Sequence, residues 1–418
     1  MSEFVPEGWK LKTIGELANV KRGASPRPIN DSQWWGGNVG WVRISDVTSS
    51  NKYLNKTTQY LSDLGVSKSV KIDKGEVVLS ICATIGKPII VNVDACIHDG
   101  FVWFNKLEKT IHREFWYYFL LSNQEFLASQ RQSGTQGNLN TSIVSDLLCY
   151  LPPLPEQQKI AAILTSVDEV IEKTQAQINK LKDLKTGMMQ ELLTRGVGVD
   201  GKPHTEFKDS PVGRIPKGWA VVPLEELVKN DKKITYGIVQ AGPHYEGGVP
   251  YIRVSDMSSR HLTKKGMLLT SPEIARKFER SSVRAGDIVY ALRGMIGHVH
   301  IVPSELNGAN LTQGTARISP SENINTNYLL WAMRSPYVAL QNDLEAKGST
   351  FKEVTLASLR QIHIAVPSGR EQQCISSSLS SIESRIYTTE DKLNHLKALK
   401  KALMQDLLTG KVRVKVDS

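Results

Sequence analysis

The chain has 418 residues, which is enough for two or three domains, and its hydrophobic content of 40% is ordinary for a globular protein. Apolar runs fall well short of the roughly 20 residues that a membrane span needs, and the N-terminal segment MSEFVPEGWK has no signal-peptide pattern, so we expect a cytoplasmic protein with no membrane partner. The four cysteines are scattered without a Cys-x-x-Cys pair, which argues against a disulfide framework and against a zinc site.

The net charge of +10 is unevenly distributed along the chain. Two stretches, residues 156–194 and 371–409, together carry a net charge of −1, so the rest of the chain carries +11. A basic excess outside these stretches indicates a polyanionic partner, most simply nucleic acid, although many basic proteins bind nothing acidic.

The first half of the chain begins with short β-rich runs and continues with a helical run. The β-rich runs lie near residues 39–44, 76–82, 89–93 and 101–104. The helical run, residues 113–131, is rich in Phe, Tyr and Leu, and we expect its aromatic face to be core and not a stacking platform for bases. Because the strands cluster before the helix, we predict an α+β domain with mostly antiparallel strands.

Residues 156–194 are predicted to form one long helix. Apolar side chains recur at intervals of mostly 4 and 3, at Ile160, Leu164, Val167, Ile171, Ile178, Leu181, Leu184, Met188 and Leu192. This heptad stripe needs a partner helix to bury it. At 1.5 Å per residue the helix would be roughly 58 Å long. The preceding Pro152, Pro153 and Pro155 end the domain and leave Glu156 in the first turn.

The second half repeats the first at an offset that drifts from 210 to 215 residues. Matching anchors include Arg43-Ile44-Ser45-Asp46 and Arg253-Val254-Ser255-Asp256, with predicted strands near 249–254, 287–292 and 299–302 and a helix near 326–344. Residues 371–409 repeat the heptad stripe, at Ile375, Leu379, Ile382, Ile386, Leu393, Leu396, Leu399, Leu403 and Leu407.

The repeat predicts the domain organisation. We expect a first globular domain at 1–155, a central long helix at 156–194, a linker at 195–215, a second globular domain at 216–370, a C-terminal long helix at 371–409 and a basic tail at 410–418. The two helices should pair antiparallel, which returns the tail to the N-terminus; the alternatives are that each helix lies on its own domain or pairs with a second chain. The expected pairing residues are Ile171, Leu181, Met188, Ile386, Leu396 and Leu403.

The chain shows none of the sequence motifs of common catalytic sites. It has no Walker A loop, no Gly-x-Ser-x-Gly elbow, no His-Glu-x-x-His motif, no methyltransferase Asp/Asn-Pro-Pro-aromatic motif and no glycine-rich cofactor turn. The histidines, among them His98 and His300, show no acidic partner repeated in both halves. We therefore predict no catalytic and no metal-binding residue, while a site assembled from distant residues stays open.

Several loops instead have a composition suited to reading DNA. They combine Arg and Lys, which suit phosphates and guanine edges, with Asn, Gln and Thr, which suit base edges, and small residues that let the backbone approach. For any single residue, an ordinary solvated loop position is the alternative. The candidate DNA-binding residues are Lys21, Arg22, Arg27, Arg131, Gln136, Asn138, Lys232, Lys233, Tyr236, Gln240, Lys347, Thr350 and Lys352.

Four motifs resemble those of one family. They are the paired Pro-x-Gly-Trp starts at 6–9 and 216–219, the segment LPPLPEQQ at 151–158, the segment MQELLTRG at 189–196 and the linker FKDSPVGRIP at 207–216. In this combination the chain resembles the specificity subunits of Type I restriction–modification systems over nearly its whole length. The second copy departs from the pattern at Ser368-Gly369-Arg370, where the proline-rich lead-in is degraded.

The resemblance implies two pseudo-symmetric α/β target recognition domains separated by two long antiparallel coiled-coil helices. Each domain would read one half of a split double-stranded DNA site. From the unlike loops of the two halves we further expect an asymmetric site, and from the period of the duplex and the length of the helices we expect half-site centres about 34 Å apart. The partners would be two modification (methyltransferase) subunits and restriction (motor/nuclease) subunits. No cofactor is expected in this chain; S-adenosylmethionine, ATP and Mg²⁺ are expected in the partner subunits. The alternatives are a duplicated coiled-coil scaffold that binds only proteins and a self-contained nuclease or methyltransferase.

Overall fold

The computed structural model describes residues 5–130, 139–198, 202–345 and 353–416. The chain forms two compact units, of which unit 1 comprises residues 1–175 and 391–418 and unit 2 comprises residues 176–390. Each unit contains one globular domain, the N-terminal part of one long helix and the C-terminal part of the other.

The globular domain of unit 1 is built on two mixed sheets and a two-stranded ribbon. The five-stranded sheet has the order Asn19–Arg22, Phe101–Asn105, Val77–Ser80, Pro88–Val91, Tyr53–Leu54. The four-stranded sheet has the order Gln59–Leu61, Trp35–Val42, Ala95–Ile97, Val70–Ile72, and the ribbon pairs Lys10–Thr13 with Leu148–Leu151. Only the pairs Trp35–Val42 with Ala95–Ile97 and Tyr53–Leu54 with Pro88–Val91 are parallel among these strands.

The short helices of this domain include a pair where we predicted one helix. The predicted run 113–131 forms Arg113–Ser122 and Gln124–Ser129, so the prediction of a single helix is wrong. Asn123 separates the two because its side-chain amide donates to the carbonyl of Phe119 at 2.8 Å, which competes with continuation of the backbone ladder. The other helices are Ile14–Leu17, the 3₁₀ turn Ser32–Trp34, Ile44–Ser49, Asp63–Ser67 and Thr141–Ser145.

The aromatic face of Arg113–Ser122 lies in the core of unit 1. Phe115, Trp116 and Tyr118 are fully buried, and Trp116 meets Phe104 edge-on with ring centroids 5.1 Å apart. Burying one side chain of this kind contributes about 1.5–3 kcal/mol. The prediction that this face is core is therefore confirmed.

The globular domain of unit 2 repeats the architecture. A four-stranded sheet has the order Thr235–Tyr236, Thr315–Ile318, Ile288–Ala291, Val299–Ile301. This is the order of the first four strands of the five-stranded sheet of unit 1, so the predicted repeat extends to strand pairing. A three-stranded sheet has the order Leu269–Thr270, Val249–Ile252, Asn310–Leu311, and two ribbons pair Ala220–Pro223 with His363–Val366 and Phe207–Lys208 with Ile215–Pro216.

The helical run predicted at 326–344 in unit 2 is also two helices, Thr326–Met333 and Pro336–Glu345. Pro336 has no backbone N–H to donate, and its ring disfavours the helical conformation of the residue before it. A single helix cannot pass this residue unbroken. The remaining helices are Pro272–Lys277 and Leu356–Gln361, with 3₁₀ turns at Leu224–Leu227, Val254–Ser258, Glu279–Ser281 and Ser304–Leu306.

The two long helices are Leu154–Leu192 and Gly369–Leu408, and both begin two residues before the predicted start. In unit 2, Lys182 pairs with Glu390 at 2.7 Å while the later Lys185 pairs with Glu383 at 2.8 Å, so the helices run antiparallel. In unit 1 the equivalent of the second pair, Lys400 with Asp168, lies at 2.6 Å. None of the helices in the described part of the chain is long and apolar enough to cross a membrane.

Of the eighteen positions of the heptad stripe, ten are buried, six are half-buried and two are exposed. Leu184 and its equivalent Leu399 are 52% and 50% exposed, so their predicted burial in the stripe is wrong. The neighbouring Lys185 faces the partner helix instead, bonded to Glu383. A straight helix has 3.6 residues per turn and drifts away from a 3.5-residue repeat, which turns these leucines outward.

A buried glutamate near the start of each long helix binds a tryptophan of the Pro-x-Gly-Trp motif. Trp9 Nε1 donates to Glu156 at 3.0 Å, and Trp219 Nε1 donates to Glu371 at 3.0 Å. Each carboxylate also binds the segment that follows a long helix. Arg413 donates to both oxygens of Glu156 at 2.7 and 2.8 Å.

The C-terminal tail therefore returns to the N-terminal segment, as predicted. Besides its bonds to Glu156, Arg413 Nη1 donates to the carbonyl of Glu7 at 2.9 Å. In unit 2 the backbone N–H groups of Val197 and Gly198 take the equivalent place and donate to Glu371 at 3.0 and 3.1 Å.

The glutamine that follows each glutamate fixes the domain to the helix start. Gln157 accepts from the backbone N–H of His112 at 2.8 Å, and Gln372 accepts from that of Asn325 at 2.7 Å. Since both copies make these bonds, the degraded lead-in at 368–370 does not change the helix start: Gly369 is the residue equivalent to Leu154.

Candidate nucleic-acid interface

A cleft opens in the domain of unit 1 where two parallel strands end. Trp35–Val42 is followed by Arg43, and its parallel neighbour Ala95–Ile97 is followed by the turn His98-Asp99-Gly100. The cleft has a volume of about 730 Å³. Its lining, which we call the first cleft, consists of Ser25, Arg27, Ile29, Asn30, Trp35, Trp41, Arg43, Ile44, Ser45, Gln59, His98 and Asp99.

Asp99 is the centre of the polar contacts in the first cleft. Its carboxylate accepts from Ser25 Oγ at 2.8 Å and from Arg27 Nη2 at 3.1 Å, and its carbonyl accepts from Arg22 Nε at 2.5 Å. Partial burial favours the neutral acid, but the Ser25 hydrogen bond and the Arg27 charge outweigh this and hold the pKa of Asp99 below its usual value. The carboxylate is therefore ionised at neutral pH and orients Arg27, whose side chain is 72% exposed.

His98 forms part of the wall of the first cleft. Its Nδ1 accepts from the backbone N–H of Gly100 at 2.8 Å, so the neutral ring carries its proton on Nε2. The ring packs against Phe101 and Trp41 with centroids 4.7 and 5.8 Å apart. Burial lowers the pKa of His98 below its usual value, so the ring is a neutral hydrogen-bond donor.

Unit 2 has a cleft at the equivalent place, with a volume of about 630 Å³. Val249–Ile252 and the parallel Asn310–Leu311 end there, followed by Arg253 and by the turn Thr312-Gln313-Gly314. Its lining, the second cleft, consists of Ile238, Val239, Ala241, Arg253, Val254, Ser255, Arg293, Gly294, Thr312, Gln313, Gly314 and Glu353.

The framework of the two clefts is shared. Ala24 and Ile238 donate their N–H groups to the equivalent carbonyls of Ile97 and Leu311, at 3.1 and 2.6 Å. The preceding residue is a glycine in both copies, because a Cβ at Gly23 would lie 2.6 Å from the carbonyl oxygen of Ile97 and a Cβ at Gly237 would lie 2.0 Å from that of Leu311. Both clefts are therefore formed by the same close approach of two backbone segments, at Gly23 and Ile97 in the first cleft and at Gly237 and Leu311 in the second.

Each cleft also contains the arginine of the repeated Arg-x-Ser-Asp motif. The backbone N–H of Arg43 donates to Asp46 at 3.0 Å and that of Arg253 donates to Asp256 at 2.8 Å, which caps the short helical turn that follows. Arg253 additionally binds Asp256 through its guanidinium, whereas Arg43 is exposed. The motif thus places one cation at the same position in both clefts.

Of the residues predicted to bind DNA, Arg22 and Arg27 meet at Asp99, and Lys21 lies exposed on the adjoining strand. In unit 2, Tyr236 and Gln240 are exposed beside the cleft-lining Ile238, Val239 and Ala241. Lys233 is exposed and Lys232 half-buried in the turn before that strand. The predicted residues outside the described ranges are Arg131, Gln136, Asn138, Lys347, Thr350 and Lys352.

Of the helix residues predicted to pair, Leu181 and Ile386 are buried in one cluster with Ile382, and Met188 packs against this cluster. Ile171, Leu396 and Leu403 are half-buried, and Leu403 packs against the core of unit 1.

Sequence reasoning missed the strand-end residues of the clefts. Arg43 and Arg253 were noticed only as framework anchors, and Asp99 and Gln313 were not considered. The signal for Arg43 and Arg253 was present in the repeat, because the same Arg-x-Ser-Asp motif occurs in both copies. Among the described residues, no group of three or more His, Cys, Asp or Glu side chains could hold a metal ion. Each cleft is concave and is lined by side chains that can form hydrogen bonds. Each also has an arginine at the same position, Arg43 in the first cleft and Arg253 in the second.

A family model described as Type I restriction modification DNA specificity domain matches this chain twice, at residues 6–183 and 216–398. The chain is 27% identical over 429 residues to the Type I restriction enzyme MjaVIII specificity subunit of Methanocaldococcus jannaschii, an alignment that covers 98% of this chain and 94% of that protein. It is 24% identical over 420 residues to the EcoBI specificity subunit of Escherichia coli, covering 98% and 86% of the two chains.

Two solved structures have a similar fold. One is a chain from a structure of a type I R-M system, with a TM-score of 0.61, 20% identity and coverage of 98% of this chain and 100% of that one. The other is the S subunit of a Type-I restriction-modification system from M. genitalium, with a TM-score of 0.57, 15% identity and coverage of 98% and 97%.

Proposed function

Because the chain belongs to the family of Type I restriction modification DNA specificity domains, we propose that it is the DNA-recognition subunit of a restriction–modification complex. The observation that carries this proposal is the pair of equivalent clefts with a common framework and unlike linings. A common framework places each cleft on DNA in the same way, and unlike linings select different bases.

Each cleft reads one half of a split site in this proposal. Equivalent positions hold Arg27 and Asp99 in the first cleft but Ala241 and Gln313 in the second, so the half-sites differ and the full site is asymmetric. The charge of +10, concentrated outside the long helices, supports a polyanionic partner.

The long helices dock two modification subunits, and restriction subunits join them. Leu184 and Leu399 support this, because two exposed leucines at equivalent helix positions offer the same apolar contact twice. The chain itself performs no chemical step. S-adenosylmethionine, ATP and Mg²⁺ act in the partner subunits, and the chain supplies the sequence choice.

A protein-only scaffold is the competing function, and binding to DNA separates the two. The full chain, free and with modification subunits, is titrated with random duplex DNA across a salt series. A recognition subunit loses affinity linearly in log salt, with a slope of about −0.9 per phosphate neutralised. A flat response, or methylation of DNA by this chain without modification subunits, contradicts the proposal.

A further inference from the structure

Among the differences between the clefts, one set of three equivalent positions holds a cluster of polar contacts in the first cleft and different side chains in the second. Ser25, Arg27 and Asp99 converge in the first cleft, whereas the second cleft has Val239, Ala241 and Gln313 there. Part of the surroundings is shared, since Ser45 and Ser255 lie on the walls and Gly100 and Gly314 end the turns. Elsewhere the linings differ: Thr312 stands in the place of His98, and Arg293 lines the second cleft. The side chains at these three positions differ between the clefts, while the backbone hydrogen bonds of Ala24 to Ile97 and of Ile238 to Leu311 are the same.

We propose that these positions determine the half-sites, with Arg27 reading a guanine in the first and Gln313 reading an adenine in the second. The inference rests on the proposed DNA-recognition function and deepens it. It assigns a base type to each cleft and a positioning role to Asp99.

The geometry of the first cleft supports guanine. Arg27 is 72% exposed, yet one terminal nitrogen is held by Asp99 at 3.1 Å, and Ser25 holds the same carboxylate at 2.8 Å. The carboxylate restricts the long side chain before DNA arrives, so less rotamer entropy is lost on binding. The remaining guanidinium N–H groups are free to donate to the O6 and N7 acceptors of guanine.

The geometry of the second cleft supports adenine. Gln313 replaces Asp99 on the same turn, and its backbone N–H donates to the carbonyl of Ile238 at 2.9 Å, which fixes the turn. In the described part of the chain its side-chain amide has no hydrogen-bond partner. A free carboxamide offers one donor and one acceptor, the pair that matches N7 and N6 of adenine. Ala241 lines the second cleft at the position that Arg27 occupies in the first.

The test uses the full chain assembled with its modification subunits and a genome-wide map of methylated bases. Arg27→Ala should make one guanine position degenerate, with a preference about 10- to 100-fold weaker, and leave the other half-site unchanged. Gln313→Ala should do the same to one adenine position of the other half-site only. Lys21→Ala is the charge-matched control and should lower occupancy uniformly with an unchanged motif.

Asp99→Asn tests the positioning role. It should relax the same guanine position as Arg27→Ala, whereas a loss of fold stability would lower methylation of every site equally. An unchanged motif in Arg27→Ala, a change in both half-sites, or complete loss of sequence preference would each overturn the inference. These results are distinct from failure of the proposed function, in which the unsubstituted chain directs no sequence-specific methylation at all.

Discussion

At the scale of single residues, the first cleft depends on a histidine that must stay neutral. His98 accepts the N–H of Gly100 at Nδ1, so protonation there would place two N–H groups against each other. Burial lowers the pKa of His98 below 6.5, the charges of Arg43 and Arg22 lower it further, and Asp99 opposes them. The folded chain therefore holds this proton less tightly than the unfolded chain.

We predict that His98 titrates below pH 6.5 in the folded protein. Its contribution to stability is complete above the unfolded pKa and is lost as the pH falls through the folded pKa, because the unfolded state then binds more protons. NMR titration of the ring measures this directly. His98→Asn, which retains an acceptor for Gly100, should reduce the loss of stability on acidification below pH 6.5. A midpoint at or above that of the unfolded protein contradicts the assignment.

A second residue-scale prediction concerns Glu156, which is 3% exposed and binds Trp9 and Arg413. Glu156→Gln keeps an acceptor for Trp9 but removes the charge that Arg413 pairs with. We expect a loss of about 1–3 kcal/mol in the free energy of unfolding, measured by urea denaturation. Glu169→Gln on the exposed face of the same helix should change it by less than about 0.5 kcal/mol. Equal effects of the two changes would show that the Glu156 bonds contribute little.

At the scale of elements, adjacent leucines on one helix have opposite environments. Leu181 is 9% exposed and packs with Ile382 and Ile386 of the antiparallel helix, while Leu184 is 52% exposed. Lys185, next to Leu184, lies on the inward side and pairs with Glu383 at 2.8 Å. The face with Leu181 therefore pairs with the other helix, while the position of Leu184 is exposed and is the place where we propose that a modification subunit docks.

Leu181→Asp should destabilise unit 2 by about 3 kcal/mol or more, because an unpaired carboxylate would enter the buried helix interface. Leu184→Asp, the matched change three residues away, should leave the melting temperature within about 2 °C but weaken binding of modification subunits. Thermal denaturation and a subunit pull-down separate the two outcomes. A Leu181→Asp protein that melts normally would show that this contact does not stabilise the pair.

At the scale of the whole molecule, the chain is a duplication whose two units have separate cores, although each core includes the C-terminal end of the other copy's long helix. The main core cluster of each domain draws its residues from one unit only, including long-helix residues such as Ile160 and Leu407 in unit 1 and Ile375 and Leu379 in unit 2. A substitution confined to the loops of one copy leaves the core of the other untouched. Recognition by the two copies should therefore be independent.

We predict that replacing residues 22–38 together with 131–140 by those of a relative changes one half of the methylated motif only. The other half should be kept because the clefts share no lining residue. A map of methylated bases in cells that express the chimera with its modification subunits gives the answer. Simultaneous change of both half-sites would contradict modular recognition.

The sequence by itself determined the duplication, the two long helices and the family. Apolar spacing of 4 and 3 with no proline inside the stripe is a local signal, and a repeat at 215 residues is visible without a structure. Glu156 and Gln157 at the first helix start were among the residues that carried the resemblance, although the bonds of Glu156 to Trp9 and of Glu371 to Trp219 became visible only in the fold.

Only the tertiary structure decided which side chains form the clefts. Asp99 and Arg27 are separated by 72 residues, and they meet because the backbone of Gly23 and Ala24 bonds to Phe101 and Ile97, on either side of the turn that holds Asp99. Strand pairing across such distances leaves no local pattern, so the loops were found while Asp99, Gln313 and the two motif arginines were not. The exposure of Leu184 could not be read from the apolar spacing either, because contacts with the partner helix decide which side of the helix is buried.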